Sequence, residues 1–262
     1  MMITSTSNPQ VRRIVKLNTS ARARRSEGCF AAEGVKLFCE TPVSLRREIY
    51  VSHSFLEDEA HVRLLREHDA EAVEVDDAVF RKMCDTQTPQ GILTVAQIPS
   101  CRREDLLGNG RNPLVMVLED LQDPGNVGTV IRTAEGAGVT GVFMSGRTAD
   151  CFQPKVIRST MGSIFRVPVR REESVTELAE WLKSRGIRTF AAHLNGRRSY
   201  TEEDYTEGTA FLIGNEGNGL SAELTEKADT LIRIPMEGQV ESLNAAVASA
   251  LLMYEAHRQR SR

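Results

Sequence analysis

The 262-residue sequence has little of what marks several classes of protein. Its five cysteines form no C-x-x-C pair, which argues against a zinc site or a disulfide framework and favours a reducing compartment. Its longest apolar stretch, 245–254, is interrupted by Ser249 and is far shorter than the roughly 20 residues of a membrane span. Residues 1–10 are polar without an apolar signal core, so we expect a cytoplasmic protein that does not enter a membrane.

An excess of positive charge is also missing. The formal net charge is -3, so a basic footprint over the whole chain is absent. The basic residues are unevenly placed, however, and residues 11–25 contain six of them and no acidic residue: Arg12, Arg13, Lys16, Arg22, Arg24 and Arg25. We predict that a polyanion would contact these basic residues before any other part of the chain. The alternative is that they form a solvated helix face and loop with no binding role.

The hydrophobic pattern predicts two domains. Residues 1–98 alternate between helix and strand patterns and predict a small α/β domain. Residues 99–113 are polar, contain glycine, lack periodicity and predict a linker. Residues 114–262 alternate more strongly, and strands joined by helices favour a mostly parallel sheet covered on both faces. The predicted strands of this second domain are 114–118, 141–144, 166–169, 188–192, 210–213 and 230–234, and its last helix begins near residue 241.

Three loops that follow predicted strands in the second domain carry unusual residues. They are 123–138 with Asn126 and Arg132, 214–221 with three glycines and Glu216, and 234–244 with Ser242 and Asn244. Each loop alone is weak evidence, because a glycine-rich loop is usually an ordinary turn. Together they indicate a ligand site, since α/β proteins bind ligands at the carboxyl ends of parallel strands.

These loops resemble motifs 1, 2 and 3 of the SpoU/TrmH group within the SPOUT class of RNA methyltransferases. The matching patterns are N-x-x-x-x-x-R at 126–132, G-x-E-G-x-G at 214–219 and I-P-M-x-G-x-V-x-S-L-N at 234–244. Residues 155–163 resemble a further block of the family. More loosely, the first domain resembles the ribosomal-protein-like RNA-binding domain that many members carry.

The resemblance implies a fold, an activity and roles for particular residues. The fold would be an α/β trefoil knot that dimerises and binds S-adenosylmethionine, and the reaction would be methyl transfer to a ribose 2′-hydroxyl of RNA, without a metal. The catalytic residues would be Asn126, Arg132, Glu216, Ser242 and Asn244. The cofactor contacts would come from Ala192, Leu194, Gly214, Ile234, Met236 and Leu243. The RNA contacts would come from Arg13, Lys16, Arg22, Arg24 and Arg25.

Arg132 is expected to be the leading residue of the reaction, steering the phosphate beside the reacting hydroxyl. A guanidinium stays protonated in proteins and is an awkward base, so electrostatic positioning is favoured, with the proton passing to phosphate or water. The ordinary alternatives are that Arg132 pairs with Glu135 or Glu216, that Asn126 caps its helix, and that Glu216 binds amides of its own loop.

Large-subunit ribosomal RNA is the expected substrate, and transfer RNA is the alternative. Two other functions were weighed against methyl transfer. An RNA-binding protein that has lost catalysis should show a damaged motif, whereas Arg132, Glu216, Ser242 and Asn244 are all present. A dinucleotide-dependent enzyme should carry G-x-G-x-x-G after a strand with an acidic residue about 20 positions later, and this pattern is not found.

Overall fold

The computed structural model describes residues 2–237, 239 and 242–261, and its helices and strands alternate along the chain. The helices are α1 (Pro9–Thr19), α2 (Ala21–Glu27), α3 (Val35–Glu40), α4 (His53–Leu56), α5 (Glu59–Glu67), α6 (Asp77–Met83), α7 (Pro124–Ala137), α8 (Pro154–Thr160), α9 (Val175–Ser184), α10 (Ala222–Lys227) and α11 (Ala245–Arg260). The strands are β1 (Cys29–Glu33), β2 (Arg46–Ser52), β3 (Val73–Val75), β4 (Ile92–Gln97), β5 (Leu114–Leu118), β6 (Gly141–Met144), β7 (Val169–Arg171), β8 (Arg188–Ala192), β9 (Arg198–Ser199), β10 (Thr209–Ile213) and β11 (Thr230–Arg233).

The chain forms two compact units. The first comprises Met1–Pro99 and Asp150–Phe165, and the second comprises Ser100–Ala149 and Arg166–Arg262. The predicted division gave 114–262 to one domain without interruption, whereas the structure groups Asp150–Phe165 with the first unit. The reason is apolar packing, because the rings of Phe152 and Phe165 lie 5.1 and 5.9 Å from the ring of Phe30 in β1.

The first unit is built on a four-stranded mixed sheet in the order β1-β4-β2-β3. Strands β1 and β2 are antiparallel to β4, and β3 is parallel to β2. Helix α2 was not predicted, although its signals are present: Ser20 caps its start, and Gly28 ends it in the left-handed conformation with φ 63°. Its alanines and arginines gave no apolar stripe for the pattern to detect.

The second unit is built on a seven-stranded sheet in the order β7-β6-β5-β10-β8-β11-β9, and every neighbouring pair is parallel. The mostly parallel sheet is thereby confirmed. Strand side chains alternate between faces. Val115, Val117 and Leu212 pack with α9 and α10, while α7 and α11 pack against each other and against β6 and β10.

The second unit differs from the prediction in one strand's bounds, in a turn within the predicted linker and in an additional short strand. Strand β7 is Val169–Arg171 rather than 166–169, because Val169 and Arg171 pair with Val142 and Met144 of β6. The predicted strand followed the apolar Val167, but Pro168 offers only its carbonyl, which accepts from the amide of Val142. The predicted linker contains a 3₁₀ turn, Arg103–Leu107, with Leu106 buried. The two-residue strand β9 lacks any pattern long enough to be detected.

The order of the strands reverses at the centre of this sheet. The chain moves outward from β5 through β6 to β7, and the later strands β10, β8 and β11 lie on the other side of β5. At such a switch point, neighbouring loops diverge to opposite faces and leave a crevice at the carboxyl ends of the strands. The crevice between β5 and β10 is therefore where the topology itself places a ligand.

Candidate functional site

The loops after β5 and β10 and the start of α11 are joined by side-chain hydrogen bonds. The amide of Asn126 donates to Oε1 of Glu216 at 3.0 Å, and Oδ1 of Asn126 accepts from the amide of Asn244 at 2.9 Å. The members of these pairs lie 90 and 118 positions apart in the chain. The fold thus brings one residue from each of the three predicted motifs into a single chain of hydrogen bonds.

The capping of α7 and α11 is compatible with both of these contacts. Asp123, not Asn126, caps α7, since Oδ1 of Asp123 accepts from the backbone amide of Asn126 at 2.8 Å. Asn244 both caps α11, accepting from the amides of Ala246 and Val247, and donates to Asn126. The last helix therefore begins at Ala245, after the predicted start near residue 241, which lies outside the described residues.

The carboxylate of Glu216 is held as an anion by its surroundings. It accepts backbone hydrogen bonds from Gln122 at 3.3 Å and Asp123 at 3.2 Å, in addition to the one from Asn126. Partial burial alone would raise the pKa of Glu216, but these hydrogen bonds favour the charged form and lower the pKa below its ordinary value. At neutral pH, Glu216 is an acceptor that orients Asn126 and fixes the loop after β5.

The loop after β10 folds back tightly on itself. The backbones of Asn215 and Gly219 exchange two hydrogen bonds, at 3.0 and 2.9 Å. A Cβ atom at Gly214 would overlap the backbone of Gly219, so only glycine fits there. The side chain of Asn215 accepts from the amides of Gly217 and Asn218 and donates to the carbonyl of Asp120 at 2.8 Å. These bonds fix the position of Glu216.

Arg132 stands outside this network. Its side chain is exposed on α7, and across the residues that the structure describes no hydrogen bond or ion pair engages its guanidinium. The proposed alternative partners are engaged elsewhere: Glu135 binds Arg166 with an Nη2 to Oε2 distance of 3.1 Å, and Glu216 binds Asn126. Ser242 is likewise exposed and does not join the network. A free guanidinium beside a strand-end crevice is suited to an anionic ligand.

The predicted cofactor residues follow the carboxyl ends of three adjacent strands. Gly214 follows β10, Ala192 and Leu194 belong to the end of β8, and Ile234 and Met236 follow β11. Leu243 stands directly before the cap of α11. Leu194 is 71% exposed, and the other apolar side chains of this group are half-buried. Apolar side chains that are partly accessible beside the strand ends suit a purine ring, so these residues fit S-adenosylmethionine.

Sequence reasoning missed the polar residues next to the predicted ones. Oε2 and Oε1 of Glu119 accept from the amide and the hydroxyl of Ser221, both at 2.7 Å. Asp120 has a left-handed backbone with φ 56°, which is uncommon outside glycine but is adopted by aspartate more often than by most residues. The signal was available, because Glu119 and Asp120 directly follow a buried parallel strand, the position that the three predicted motifs also occupy.

The predicted RNA contacts in the first unit divide into two groups. Arg24 is 4% exposed, and its guanidinium donates to Asp150 at 2.8 and 2.9 Å and to the carbonyl of Leu17. Arg13 is half-buried between Glu27 and Glu48, each 2.6 Å away. Lys16, Arg22 and Arg25 are exposed. Only these three of the five predicted residues are left free to meet a polyanion.

Among the residues that the structure describes, no three His, Cys, Asp or Glu side chains are grouped in a way that suits a metal ion. None of the helices built from the described residues is both long enough and apolar enough to cross a bilayer.

The chain matches two family models and several known proteins. Residues 113–254 match the SpoU rRNA methylase family, and residues 8–94 match the MRM3-like substrate binding domain. A relative from Bacillus subtilis, the 23S rRNA (guanosine(2553)-2′-O)-methyltransferase RlmP, is 35% identical over 96% of this chain and 97% of its own. The crystal structure of the SpoU methyltransferase AviRb from Streptomyces viridochromogenes with AdoMet matches with a TM-score of 0.88, at 27% identity over 97% of this chain and 98% of that one.

A third match has the cofactor bound as well. The AdoMet-bound rRNA methyltransferase from Sinorhizobium meliloti has a TM-score of 0.83 and 30% identity over 98% of this chain and 97% of that one. The predicted family, enzyme class and cofactor are confirmed by these matches. The chain belongs to the SpoU rRNA methylase family and is an S-adenosylmethionine-dependent RNA methyltransferase.

Proposed function

We propose that this protein methylates a ribose 2′-hydroxyl in large-subunit ribosomal RNA. The observation that carries the proposal is the hydrogen-bonded chain of Glu216, Asn126 and Asn244 at the sheet's switch point. It joins the three motif loops beside the exposed Arg132. The substrate class is supported by the Bacillus subtilis relative, whose name gives 23S rRNA and a 2′-O position.

S-adenosylmethionine, when bound, supplies an electrophilic methyl group on its sulfonium. Gly214 and Ile234 offer backbone groups at strand ends for the adenine edge, and Leu243 offers one just before the cap of α11. Met236, Ala192 and Leu194 offer apolar cover. We infer that the chain after β11 threads through a loop as a trefoil knot. Support comes from its path, since it leaves the far side of the sheet and brings Asn244 back to Asn126, in the first turn of α7 after β5.

The chain's own residues align the hydroxyl and stabilise the charges around it. Arg132 holds the phosphate next to the reacting ribose, and its positive charge stabilises the oxygen as it loses its proton. Asn126 and Asn244 offer amide groups whose orientation Glu216 fixes. The proton passes to the phosphate or to water. Ser242, two residues before Asn244, adds a hydroxyl that can donate a hydrogen bond.

The same domain is proposed to form a homodimer. Helix α11 exposes Val247, Leu251 and Tyr254, with 49%, 37% and 50% of their surface accessible. Their spacing of four and three residues places them on one side of the helix, where an apolar stripe calls for a partner. A Cβ atom at Gly136 of α7 would lie 3.1 Å from the hydroxyl of Tyr254. The stripe therefore borders α7, the helix that carries Arg132.

The first unit is proposed to bind the RNA through Lys16, Arg22 and Arg25. Their exposure supports this role, as does the match of residues 8–94 to a substrate-binding domain. The assignment excludes Arg13 and Arg24, whose guanidinium groups are occupied by carboxylates.

Mapping of 2′-O-methylated positions in total RNA tests the proposed function. RNA from cells with and without the protein is compared, and the purified protein is then supplied with S-adenosylmethionine and unmethylated large-subunit RNA. We expect one position in the large-subunit RNA to lose its methyl group in the deficient cells and to regain it in vitro. If the methyl group is lost from a position in transfer RNA instead, the substrate is transfer RNA. An unchanged methylation map together with no methyl transfer in vitro would overturn the proposed function.

A further inference from the structure

A cavity of about 220 Å³ opens beside the Glu216 network at the carboxyl ends of β5, β6 and β10. Its walls come from the loops that follow these three strands. The polar side chains among the lining residues include those of Glu119, Asp120, Gln122, Arg147, Asn215 and Asn218. The cavity thus lies on the β6 side of the loop after β10.

The walls of the cavity do not include the proposed cofactor residues, all six of which are described. They follow β8, β10 and β11, whereas the cavity extends towards β6. Its volume of about 220 Å³ is below the roughly 300 to 1,000 Å³ of pockets that enclose drug-sized ligands. It suits a group the size of one ring system rather than a whole nucleoside cofactor.

Some polar groups of the cavity are already used by the protein. Both oxygens of Glu119 are taken by Ser221, and the amide of Asn215 is taken by its own loop and by Asp120. The side-chain amides of Gln122 and Asn218 are exposed, and neither has a hydrogen-bond partner within the described part of the chain. Two amides, each able to donate and accept, are thus available to a ligand.

Arg147 adds a third available group at the rim. Its side chain is 83% exposed, and its single ion pair in the described part of the chain is with Asp120, at 2.5 Å. The loop that carries it is firmly held. Ser145 donates to Oδ1 of Asp120 at 2.7 Å, Thr148 donates to the carbonyl of Leu118 at 3.0 Å, and the guanidinium of Arg171 donates to the carbonyls of Gly146 and Thr148. Because the guanidinium is exposed and the loop is fixed, Arg147 can exchange Asp120 for a ligand without moving its backbone.

The charges of the cavity favour a neutral ligand over an anion. Glu119 and Asp120 bring two carboxylates against the one cation of Arg147, so a phosphate or a free carboxylate would be repelled. Amide and guanidinium groups are the side chains that read the edges of bases. Proteins that read RNA sequence bind unpaired bases, with hydrogen bonds to their edges and with arginine stacked on their faces.

We propose that this cavity binds one unpaired nucleobase of the substrate RNA, at or next to the methylated nucleotide. Gln122 and Asn218 read the edge of the base, and Arg147 leaves Asp120 to stack on the base or to bond it. The proposal rests on the proposed function for its choice of RNA, and it assigns to this cavity the sequence preference of the enzyme.

Side-chain amide NMR signals of the full-length protein test the cavity directly. The four ribonucleoside 5′-monophosphates are compared with ribose 5-phosphate, which has the same sugar and phosphate but no base, in the presence of S-adenosylhomocysteine to fill the cofactor site. We expect the signals of Gln122 and Asn218 to shift with at least one nucleotide, bound about ten-fold more tightly than ribose 5-phosphate. The variants Gln122→Ala, Asn218→Ala and Arg147→Ala identify the signals and should each weaken that binding.

Matched control variants are Asn109→Ala and Arg111→Ala, which are exposed in the same unit near the opposite end of β5 and should not alter binding. Equal shifts with ribose 5-phosphate, shifts that vanish once S-adenosylhomocysteine is added, or no shift with any nucleotide would each overturn the proposal. The result does not depend on methyl transfer. A protein that binds bases here but transfers no methyl group keeps the cavity's role and loses the proposed reaction.

Discussion

Two groups of polar residues stand out in the sequence, and the structure uses them differently. In the basic run of 11–25, Arg13 and Arg24 are occupied by carboxylates, and Lys16, Arg22 and Arg25 reach solvent. At the strand ends, the predicted Asn126, Glu216 and Asn244 contact one another directly. A run of basic residues in the sequence does not determine which side chains are exposed, because successive residues of a helix point to different sides of it. Parallel strands bring the polar residues at their carboxyl ends to one edge of the sheet.

The largest expected effect concerns Arg132 and sharpens the strand-end side of this comparison. Arg132→Ala should lower methyl transfer by about 100-fold or more, because a charge acting on the transition state is removed. Binding of S-adenosylmethionine, measured by calorimetry, and the melting temperature should stay close to those of the parent protein, since Arg132 is exposed. Arg132→Lys should recover part of the rate, because lysine keeps the positive charge but lacks the planar guanidinium that can bind a phosphate with two hydrogen bonds.

The matched control for Arg132 is Arg111→Ala, another exposed arginine of the second unit, which should keep full activity. Undiminished transfer by Arg132→Ala would remove Arg132 from the mechanism. A large fall in cofactor affinity in that variant would instead make Arg132 a cofactor contact.

Arg24 and Arg22, on the same helix, test the division within the basic run. Arg24→Ala should reduce the free energy of unfolding by about 3 kcal/mol, because it leaves Asp150 and the Leu17 carbonyl without their buried partner. Arg22→Ala should change that free energy by less than about 0.5 kcal/mol, as is usual for an exposed side chain. Urea unfolding measures both values. Equal stabilities would contradict the structural role of Arg24.

Glu216→Gln tests whether the carboxylate acts by orienting Asn126. The two carboxylate oxygens of Glu216 accept three hydrogen bonds, from Asn126 and from two backbone amides. The glutamine side chain has one accepting oxygen, so it cannot keep all three, and we expect about a ten-fold lower rate of methyl transfer. Glu223→Gln, an exposed carboxylate at the start of α10, is the control and should be neutral. A fully active Glu216→Gln would show that the charge is dispensable.

The same variant has a predicted dependence on pH. The pKa of Glu216 is lowered in the folded protein, so its stabilising contribution is complete above the ordinary value of 4.5 and is lost as the pH falls through the folded pKa. The difference in urea midpoint between the parent protein and Glu216→Gln should therefore be constant from about pH 7 to pH 5 and should narrow below that. A difference that grows on acidification would contradict the lowered pKa.

The smallest expected effect concerns the exposed members of the basic run. Replacing Lys16, Arg22 and Arg25 together by alanine should reduce the slope of log affinity against log salt concentration, because each lost phosphate contact removes about 0.7 to 0.9 of a released counterion. Binding to large-subunit RNA at several salt concentrations measures this slope. An unchanged slope would leave the RNA surface of the first unit unassigned.

The fold was largely predictable because its signals are local. The buried strand Leu114–Leu118 was predicted at its observed bounds from its apolar run, and alternation of helices and strands then favours a parallel sheet. Strand β7 was misplaced because an edge strand is held by backbone pairing to β6 rather than by an apolar pattern. Burial of Arg24 depends on Asp150, 126 residues later, and no local pattern reports such a contact.

The predicted Asn126, Glu216 and Asn244 meet in the structure, whereas Arg132 and Ser242 do not join them. The motifs named the three residues that meet, but which oxygen accepts from which amide depends on where the helices start, and α11 starts at Ala245 rather than near residue 241. Glu119, Asp120 and Arg147 were missed because each carries an ordinary charge that is equally common on surfaces. Their convergence follows only from the strand order. Cytoplasmic location, the knot and the homodimer stay predictions.

Inclusion of Asp150–Phe165 in the first unit has a consequence for attempts to divide the protein. The chain passes from the first unit to the second, back, and forward again, so no single cut separates the units. A shortened chain that begins at Ser100 would retain Phe152, Val156 and Ile157 but lose the β1 surface on which α8 rests. Such a fragment should aggregate through the exposed apolar surface of α8. Fusing the second unit to another RNA-binding domain will therefore require the apolar residues of α8 to be redesigned first.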